Sequence, residues 1–165
     1  MNKIWQKQIK TAAGTFHLEA SRRGLRSLDF PQKRRNIKRS TTKAPAAVKK
    51  MLAAAGKILR AYTSEDPLPR KKVKVDWTCL KGFERKVLRA LYRVSCGKTV
   101  TYVELAQRSG HPKAARAVGS VMRRNQLPIF LPCHRVVRSD GTLGEYGPGR
   151  IWKKRLLMAE GTSRP

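Results

Sequence analysis

The stretch from Thr101 to Arg124, TYVELAQRSGHPKAARAVGSVMRR, decides the fold of the second half of this chain. Thr101 and Glu104 have the spacing of a capping box, in which each side chain bonds the backbone of the other residue, so a helix is predicted to begin here. Gly110 ends that helix, and Pro112 suits the first turn of a second helix that runs to Arg124. Two short helices joined by a glycine-containing turn predict a helix-turn-helix.

The second helix has two contrasting faces. One face is apolar and is predicted to be buried: Ala114, Ala117, Val118, Val121 and Met122. The opposite face combines small residues with two arginines: Ala115, Arg116, Gly119, Ser120 and Arg123. A glycine inside a helix costs about 1 kcal/mol relative to alanine, which suggests that a partner must approach closely. A purely solvated face would more often carry Glu, Lys and Gln, so the pattern favours a helix that enters a groove.

Charge indicates what that partner is. The 165 residues include 38 Lys or Arg and 10 Asp or Glu, a formal net charge of +28. A field of this sign attracts polyanions, and nucleic acid is the default partner. The alternative, solubility in a salty or hot cell, is more often met by mixed or acidic charge.

A potential nucleophile follows in Pro132-Cys133-His134-Arg135-Val136. Seven Lys or Arg and no Asp or Glu lie between Leu105 and Ser139. Nearby positive charge lowers the pKa of a thiol, so the basic run predicts a reactive Cys133. Adjacent residues of an extended segment point to opposite faces, so direct contact with His134 does not follow. The simpler alternative is a buried cysteine beside a surface histidine.

The rest of the chain predicts a two-domain α+β protein, with residues 1–74 and 75–165 as the domains. Residues 4–30 alternate as strands, 32–43 form a basic loop, and 45–62 form an amphipathic helix. Residues 63–76 contain Pro67 and Pro69 and are predicted to be a linker. Helices are also predicted around Phe83–Leu91 and over Ile151–Glu160, before Gly161.

Composition also bounds location and cofactors. Cys79, Cys96 and Cys133 are odd in number and widely spaced, so neither a disulfide framework nor a zinc site is predicted, and no cofactor is expected. No apolar run approaches the ~20 residues of a membrane span, and no signal peptide is recognisable. A cytoplasmic protein, associated with the nucleoid if prokaryotic, is therefore expected.

Several motifs together resemble one family, the O6-alkylguanine-DNA alkyltransferases, also called methylated-DNA–protein-cysteine methyltransferases. The resemblance is carried by Lys113–Gly119, Arg124-Asn125, Pro132–Val137 and the loop Gly144-Glu145-Tyr146-Gly147-Pro148-Gly149. It is strong over residues 75–161, while the N-terminal half fits only in outline. It implies a ribonuclease-H-like N-terminal domain and a helix-turn-helix, winged-helix-like C-terminal domain that binds double-stranded DNA as a monomer.

The resemblance implies that Cys133 irreversibly accepts the alkyl group of O6-alkylguanine, with O4-alkylthymine as a further candidate, after the base is flipped out through the minor groove. His134, acting through a water, and Glu160 would activate the thiol, and Asn125 would order the turn. The expected DNA contacts are Tyr102, Ala115, Arg116 as the finger that fills the gap, Gly119, Arg123 and Arg135. The expected alkylguanine pocket is formed by Met122, Cys133, Val136, Tyr146 and Gly147.

Two residues depart from the family pattern. Cys96 replaces an aromatic residue found before Gly97 in many members, and Gly147 replaces a serine found in some. Three rival functions remain: a non-catalytic damage sensor, a nucleoid-type DNA binder and a Cys-His hydrolase. The sensor would lack the thiol, the DNA binder would show equal affinity for damaged and undamaged duplex, and no oxyanion-hole motif supports the hydrolase.

Overall fold

The computed structural model describes residues 3–31, 43–64, 68 and 72–162. The chain divides into two compact units, residues 1–79 and 80–165. The predicted basic loop at 32–43 lies, apart from its last residue, outside the described residues, as do Pro67 and Pro69 of the predicted linker. The described residues form an α+β protein with a small sheet and five α-helices, as the sequence predicts.

The first unit contains an antiparallel sheet and one helix. Its strands are β1 (Trp5–Thr11), β2 (Gly14–Ser21) and β3 (Gly24–Asp29), in the order β1-β2-β3. Helix α1 (Ala46–Ala61) contacts all three strands. The buried positions alternate on β2 and recur at helical spacing on α1, so the two periodicities read from the sequence face a common core: Phe16, Leu18, Ala20, Val48, Leu52, Ala55 and Leu59.

The domain boundary lies after Cys79 rather than after residue 74. Part of the predicted linker adds to the sheet, because the backbone N–H of Leu25 donates to Lys74 O at 2.8 Å and the N–H of Asp76 donates to Leu25 O at 2.9 Å. Gly24 permits this contact, since a Cβ there would lie 2.3 Å from the Val75 carbonyl carbon. The basic, proline-containing composition predicted a linker here. The backbone pairing with Leu25 joins residues about fifty positions apart, so it leaves no signal in the local sequence.

The second unit contains the remaining four helices and a two-stranded parallel ribbon. In chain order it has α2 (Gly82–Tyr92), β4 (Val100–Thr101), α3 (Tyr102–Arg108), α4 (Ala115–Arg124), β5 (Val136–Val137) and α5 (Arg150–Ala159). Strand β4 leads directly into α3, and β5 follows directly after Arg135, so the ribbon brings the start of the helix pair beside the cysteine segment. In the part of the chain that the structure describes, no helix could cross a membrane.

The structure confirms the start of α3 and corrects the start of α4. The Thr101 hydroxyl accepts from the Glu104 N–H at 3.1 Å, while the Glu104 carboxylate accepts from the Thr101 N–H at 2.7 Å. Helix α4 begins at Ala115, after a turn at 112–113, so the prediction that Pro112 lies in its first turn is wrong. Ala117 is exposed instead of buried, because the later start confines the buried stripe to Val118, Val121 and Met122.

Candidate functional site

A cleft of about 640 Å³ opens on α4 in the second unit. It brings together most of the residues predicted for the DNA face and the pocket: Tyr102, Ala115, Arg116, Gly119, Met122, Arg123, Cys133, Tyr146 and Gly147. It also contains Val103, Ser120, Arg138, Ser139 and Glu145, of which only Ser120 was placed on the predicted DNA face. A Cβ on Gly119 would meet only Tyr102 Cε1, at 3.9 Å. The protein itself therefore does not require glycine there, and the space belongs to the cleft.

Asn125 organises the turn that delivers Cys133. Its side-chain amide donates to Leu131 O at 2.8 Å and to Cys133 Sγ at 3.0 Å, and its Oδ1 accepts from the Leu127 N–H at 3.0 Å. Within this turn Ile129 has a φ of +73°, a conformation that β-branched residues rarely adopt. Such strain persists only where surrounding contacts impose it, as the Asn125 bonds do here.

The thiol of Cys133 is buried, and burial raises its pKa to about 11. The hydrogen bond from Asn125 and the positive charge of Lys153 oppose this effect without cancelling it. The sequence-based expectation of a lowered pKa is therefore wrong for the resting protein. Most of the nearby basic residues lie at the surface, whereas removal of the thiol from water acts on the sulfur directly. Cys133 is a neutral thiol at neutral pH and must lose its proton to react.

His134, the residue after Cys133, forms a buried pair with Glu160. His134 Nε2 lies 2.7 Å from Glu160 Oε1, and neither side chain is exposed. Burial lowers the pKa of His134 despite the neighbouring carboxylate, so its imidazole is neutral at neutral pH and can accept a proton. Burial alone would raise the pKa of Glu160, but hydrogen bonds from His134 and Arg135 outweigh it and hold that pKa well below its usual range.

Arg135 does not lie where the sequence places it. It is 8% exposed, its Nε and Nη2 donate to the Glu160 carboxylate at 2.8–3.2 Å, and its Nη1 donates to Val94 O at 2.6 Å. The prediction that Arg135 contacts DNA is therefore wrong: its guanidinium neutralises a buried carboxylate. The net charge indicated a cationic surface, but it could not show which arginines form ion pairs inside the protein.

The carboxylate of Glu160 is held at the end of α5, where the helix dipole disfavours an anion. Besides His134 and Arg135, the backbone N–H of Gly97 donates to its Oε2 at 3.1 Å. Donors from three residues in two separate segments therefore compensate for an unfavourable position.

Lys153 is a buried residue of the site that the sequence-based interpretation missed. Its side chain is fully buried, and its Nζ donates to Val136 O at 2.6 Å and to Leu143 O. Burial lowers its pKa to about 8. A signal was present, because Lys153 lies next to Trp152 and three to four residues before Leu156 and Leu157, within the buried stripe of α5.

The predicted pocket residues divide between the cleft and the layer behind it. Tyr146 is buried and its ring meets that of His134 edge-on, with centroids 6.4 Å apart. Val136 is fully buried and lies outside the cleft lining, and its carbonyl already accepts from Lys153. In the described ranges, no group of three or more His, Cys, Asp or Glu could hold a metal ion.

These features define a class of protein. Its members have a cleft that borders a pair of short helices and contains a buried cysteine, and the histidine next to that cysteine is paired with a carboxylate. Residues 82–162 match the family model described as 6-O-methylguanine DNA methyltransferase, DNA binding domain.

Relatives extend the match beyond this unit. A methylated-DNA–protein-cysteine methyltransferase of Methanosarcina barkeri is 35% identical over 161 residues, covering 92% of this chain and 94% of that protein. The corresponding mouse protein is 56% identical over 82 residues, which are 48% of this chain and 39% of its own length. The chain therefore matches about two fifths of its mammalian relatives. The structure of Mycobacterium tuberculosis OGT in complex with DNA is 32% identical with a TM-score of 0.75, covering 94% of this chain and 91% of that one.

The nearly full-length match at 35% identity joins both units of the chain to the same relatives. The chain belongs to the methylated-DNA–protein-cysteine methyltransferase family.

Proposed function

We propose that this protein repairs DNA by transferring the alkyl group of O6-alkylguanine to Cys133, irreversibly and once per protein molecule. The observation that carries the proposal is the thiol itself: Cys133 lies in the cleft, bonded by Asn125, next to the buried His134–Glu160 pair. A hydrolase would need donors placed for an oxyanion, whereas displacement at a saturated carbon needs only a soft, deprotonated nucleophile.

The step balances within the site. The Cys133 thiol loses its proton to neutral His134 through an intervening water, and Glu160 stabilises the imidazolium that forms. The thiolate electron pair forms the new S–C bond as the O6–C bond breaks. The electron pair of the broken O6–C bond stays on O6 and leaves with the guanine. The departing base takes up a proton, for which the phenol of Tyr102 in the same cleft is a donor. Burial and the nearby Cys133 raise the pKa of Tyr102, so this phenol keeps its proton beforehand.

DNA is the proposed partner because the cleft is bordered by cationic and small residues of α4. Arg116 and Arg123 are exposed there, and Gly119 leaves room for close approach. The DNA complex of the mycobacterial relative supports the same partner for this chain. The O6 atom cannot be reached inside a duplex, so the base is flipped out, at a cost of a few kcal/mol, with Arg116 filling the gap from the minor groove.

The proposal includes the finer fold and a second substrate. The sheet and α1 of the first unit correspond to a ribonuclease-H-like domain, and α3, α4 and the β4–β5 ribbon correspond to a winged-helix-like domain. O4-alkylthymine presents an alkyl oxygen to the same thiol and is proposed as a further substrate. The Cys133 carbonyl already accepts from the Val136 N–H and would have to share that bond with the guanine amine. The Val136 carbonyl would have to share its bond from Lys153.

The experiment that tests the function is a mass measurement. We expect equimolar duplex with one O6-methylguanine to add one methylene unit to the protein, stoichiometrically, on the peptide that contains Cys133. Cys79 and Cys96 should stay unmodified, and undamaged duplex should add nothing. No mass gain combined with selective lesion binding would replace the proposal with a damage sensor, and no gain without selectivity would leave a basic DNA binder.

Lys153 provides a separate prediction. Lys153→Met removes the buried charge near Cys133 and the two hydrogen bonds from Nζ to the Val136 and Leu143 carbonyls. We expect single-turnover methyl transfer to slow by roughly 10- to 100-fold. Lys153→Gln keeps a donor but no charge, so comparable slowing of both variants would assign the effect to charge. Recovery in the Gln variant would assign it to the bonds. Transfer at the wild-type rate in both variants would show that Lys153 has no part in the reaction.

A further inference from the structure

Glu145 stands out by its charge. Among the residues that the structure describes, it is the only carboxylate in the cleft lining, which also contains three arginines: Arg116, Arg123 and Arg138. The whole chain contains only 10 Asp or Glu residues. Glu145 is one of them, and it lies on the surface proposed to bind DNA.

The loop geometry directs Glu145 into the cleft. Its neighbours Gly144 and Tyr146 are both buried, while Glu145 itself is exposed. A Cβ on Gly144 would lie 3.4 Å from the Tyr102 hydroxyl and 3.7 Å from Arg138 Nε, so the loop packs closely against both side chains. The position of Glu145 follows from these contacts.

The charge of Glu145 is felt inside the site. It contributes to raising the pKa of Tyr102 and opposes the lowering of the Lys153 pKa by burial, whereas Arg138 acts in the opposite direction on both groups. One cation and one anion therefore border the entrance near the phenol. Attraction between arginine and phosphate does not distinguish damaged from undamaged DNA, because every nucleotide carries the same backbone.

We propose that Glu145 is a specificity-determining residue that weakens retention of undamaged duplex in the cleft by repelling the phosphate backbone. The inference rests on the proposed function, since it concerns how a DNA-scanning protein leaves the wrong sites. Sequence-independent binding to undamaged duplex competes with binding to the rare lesions. A net charge of +28 makes this sequence-independent binding strong. A carboxylate at the entrance opposes that binding where the duplex must enter.

The test compares binding to undamaged duplex over a range of salt concentrations. We expect Glu145→Gln to bind roughly three- to tenfold more tightly at low salt, with a salt slope steeper by up to about one. Glu145→Lys should strengthen binding further. The matched control is Glu84→Gln, which removes the same charge from α2, outside the cleft lining, and should change affinity by less than about twofold.

A competition experiment links binding to repair. For each protein, the rate of methyl transfer to one lesion is measured with and without excess undamaged duplex, and the ratio cancels any effect on the chemistry. Competitor should slow Glu145→Gln more than the wild type. Unchanged or weaker binding by Glu145→Gln, or equal strengthening by Glu84→Gln, would overturn the proposal. The binding result does not depend on methyl transfer, so failure of the proposed function would be recognised separately.

Discussion

Replacing Cys133 by serine is expected to abolish methyl transfer, by a factor on the order of 10³ or more, and to leave lesion binding in place. A serine hydroxyl accepts the Asn125 hydrogen bond as the sulfur does, so the turn should keep its structure. It is a far weaker nucleophile toward a saturated carbon at neutral pH, because an alcohol loses its proton much less readily than a thiol. The measurement is single-turnover transfer from labelled O6-methylguanine duplex, followed by mass analysis.

The matched controls are Cys79→Ser and Cys96→Ser. Both thiols are exposed, and neither belongs to the cleft lining, so these variants should transfer at close to the wild-type rate. Although Cys96 is exposed as a residue, partial desolvation of its thiol, followed by the Glu160 carboxylate, raises its pKa. Residual transfer by Cys133→Ser onto either remaining cysteine would contradict the assignment of the nucleophile.

Glu160→Gln is expected to damage both stability and activity. The carboxylate accepts from His134, Arg135 and the Gly97 N–H, and the amide would leave the buried guanidinium without its counter-charge. Breaking a buried ion pair by removing one partner costs about 3–5 kcal/mol, which urea unfolding would detect as a lower midpoint. We expect transfer to slow by about 100-fold, since His134 loses the group that stabilises its protonated form.

The pH dependence of stability gives an independent check. The folded pKa of Glu160 lies below the unfolded value of 4.5, so its stabilisation is fully present above about pH 4.5 and is lost as the pH falls through the folded pKa. Glu160→Gln should therefore flatten the acid limb of the unfolding free energy. A loss of less than about 1 kcal/mol at pH 7, with normal transfer, would contradict the role given to this pair.

Close agreement between sequence and structure is confined to features written in local spacing. The Thr101–Glu104 capping box joins residues three positions apart, and both of its hydrogen bonds are present. The alternation of β2 and the helical repeat of α1 likewise encode which face of each element is apolar. The start of α4 is not fixed by local spacing, because proline suits either a turn or the first turn of a helix.

The motifs predicted which residues make up the candidate site, but they did not predict the electrostatic environment of those residues. Neighbouring positive charge predicted a lowered pKa for Cys133, whereas burial raises it, and no local pattern records how deeply a side chain is buried. Likewise Arg135 is adjacent to the nucleophile and basic, yet its partner Glu160 is 25 residues away. A charge is assigned to the surface or the interior only when distant segments pack around it.

The sequence by itself therefore predicted the α+β class, the helix pair and the cysteine segment of the candidate site, because hydrophobic periodicity, capping and motif spacing are short-range properties. Only the tertiary structure decided that Lys153 is buried behind the pocket, that Arg135 serves Glu160, and that Glu145 lies in the cleft. Each of these depends on which segments meet across long separations. Desolvation and Coulomb energies act through space, so they are set by the packed fold and not by the order of residues.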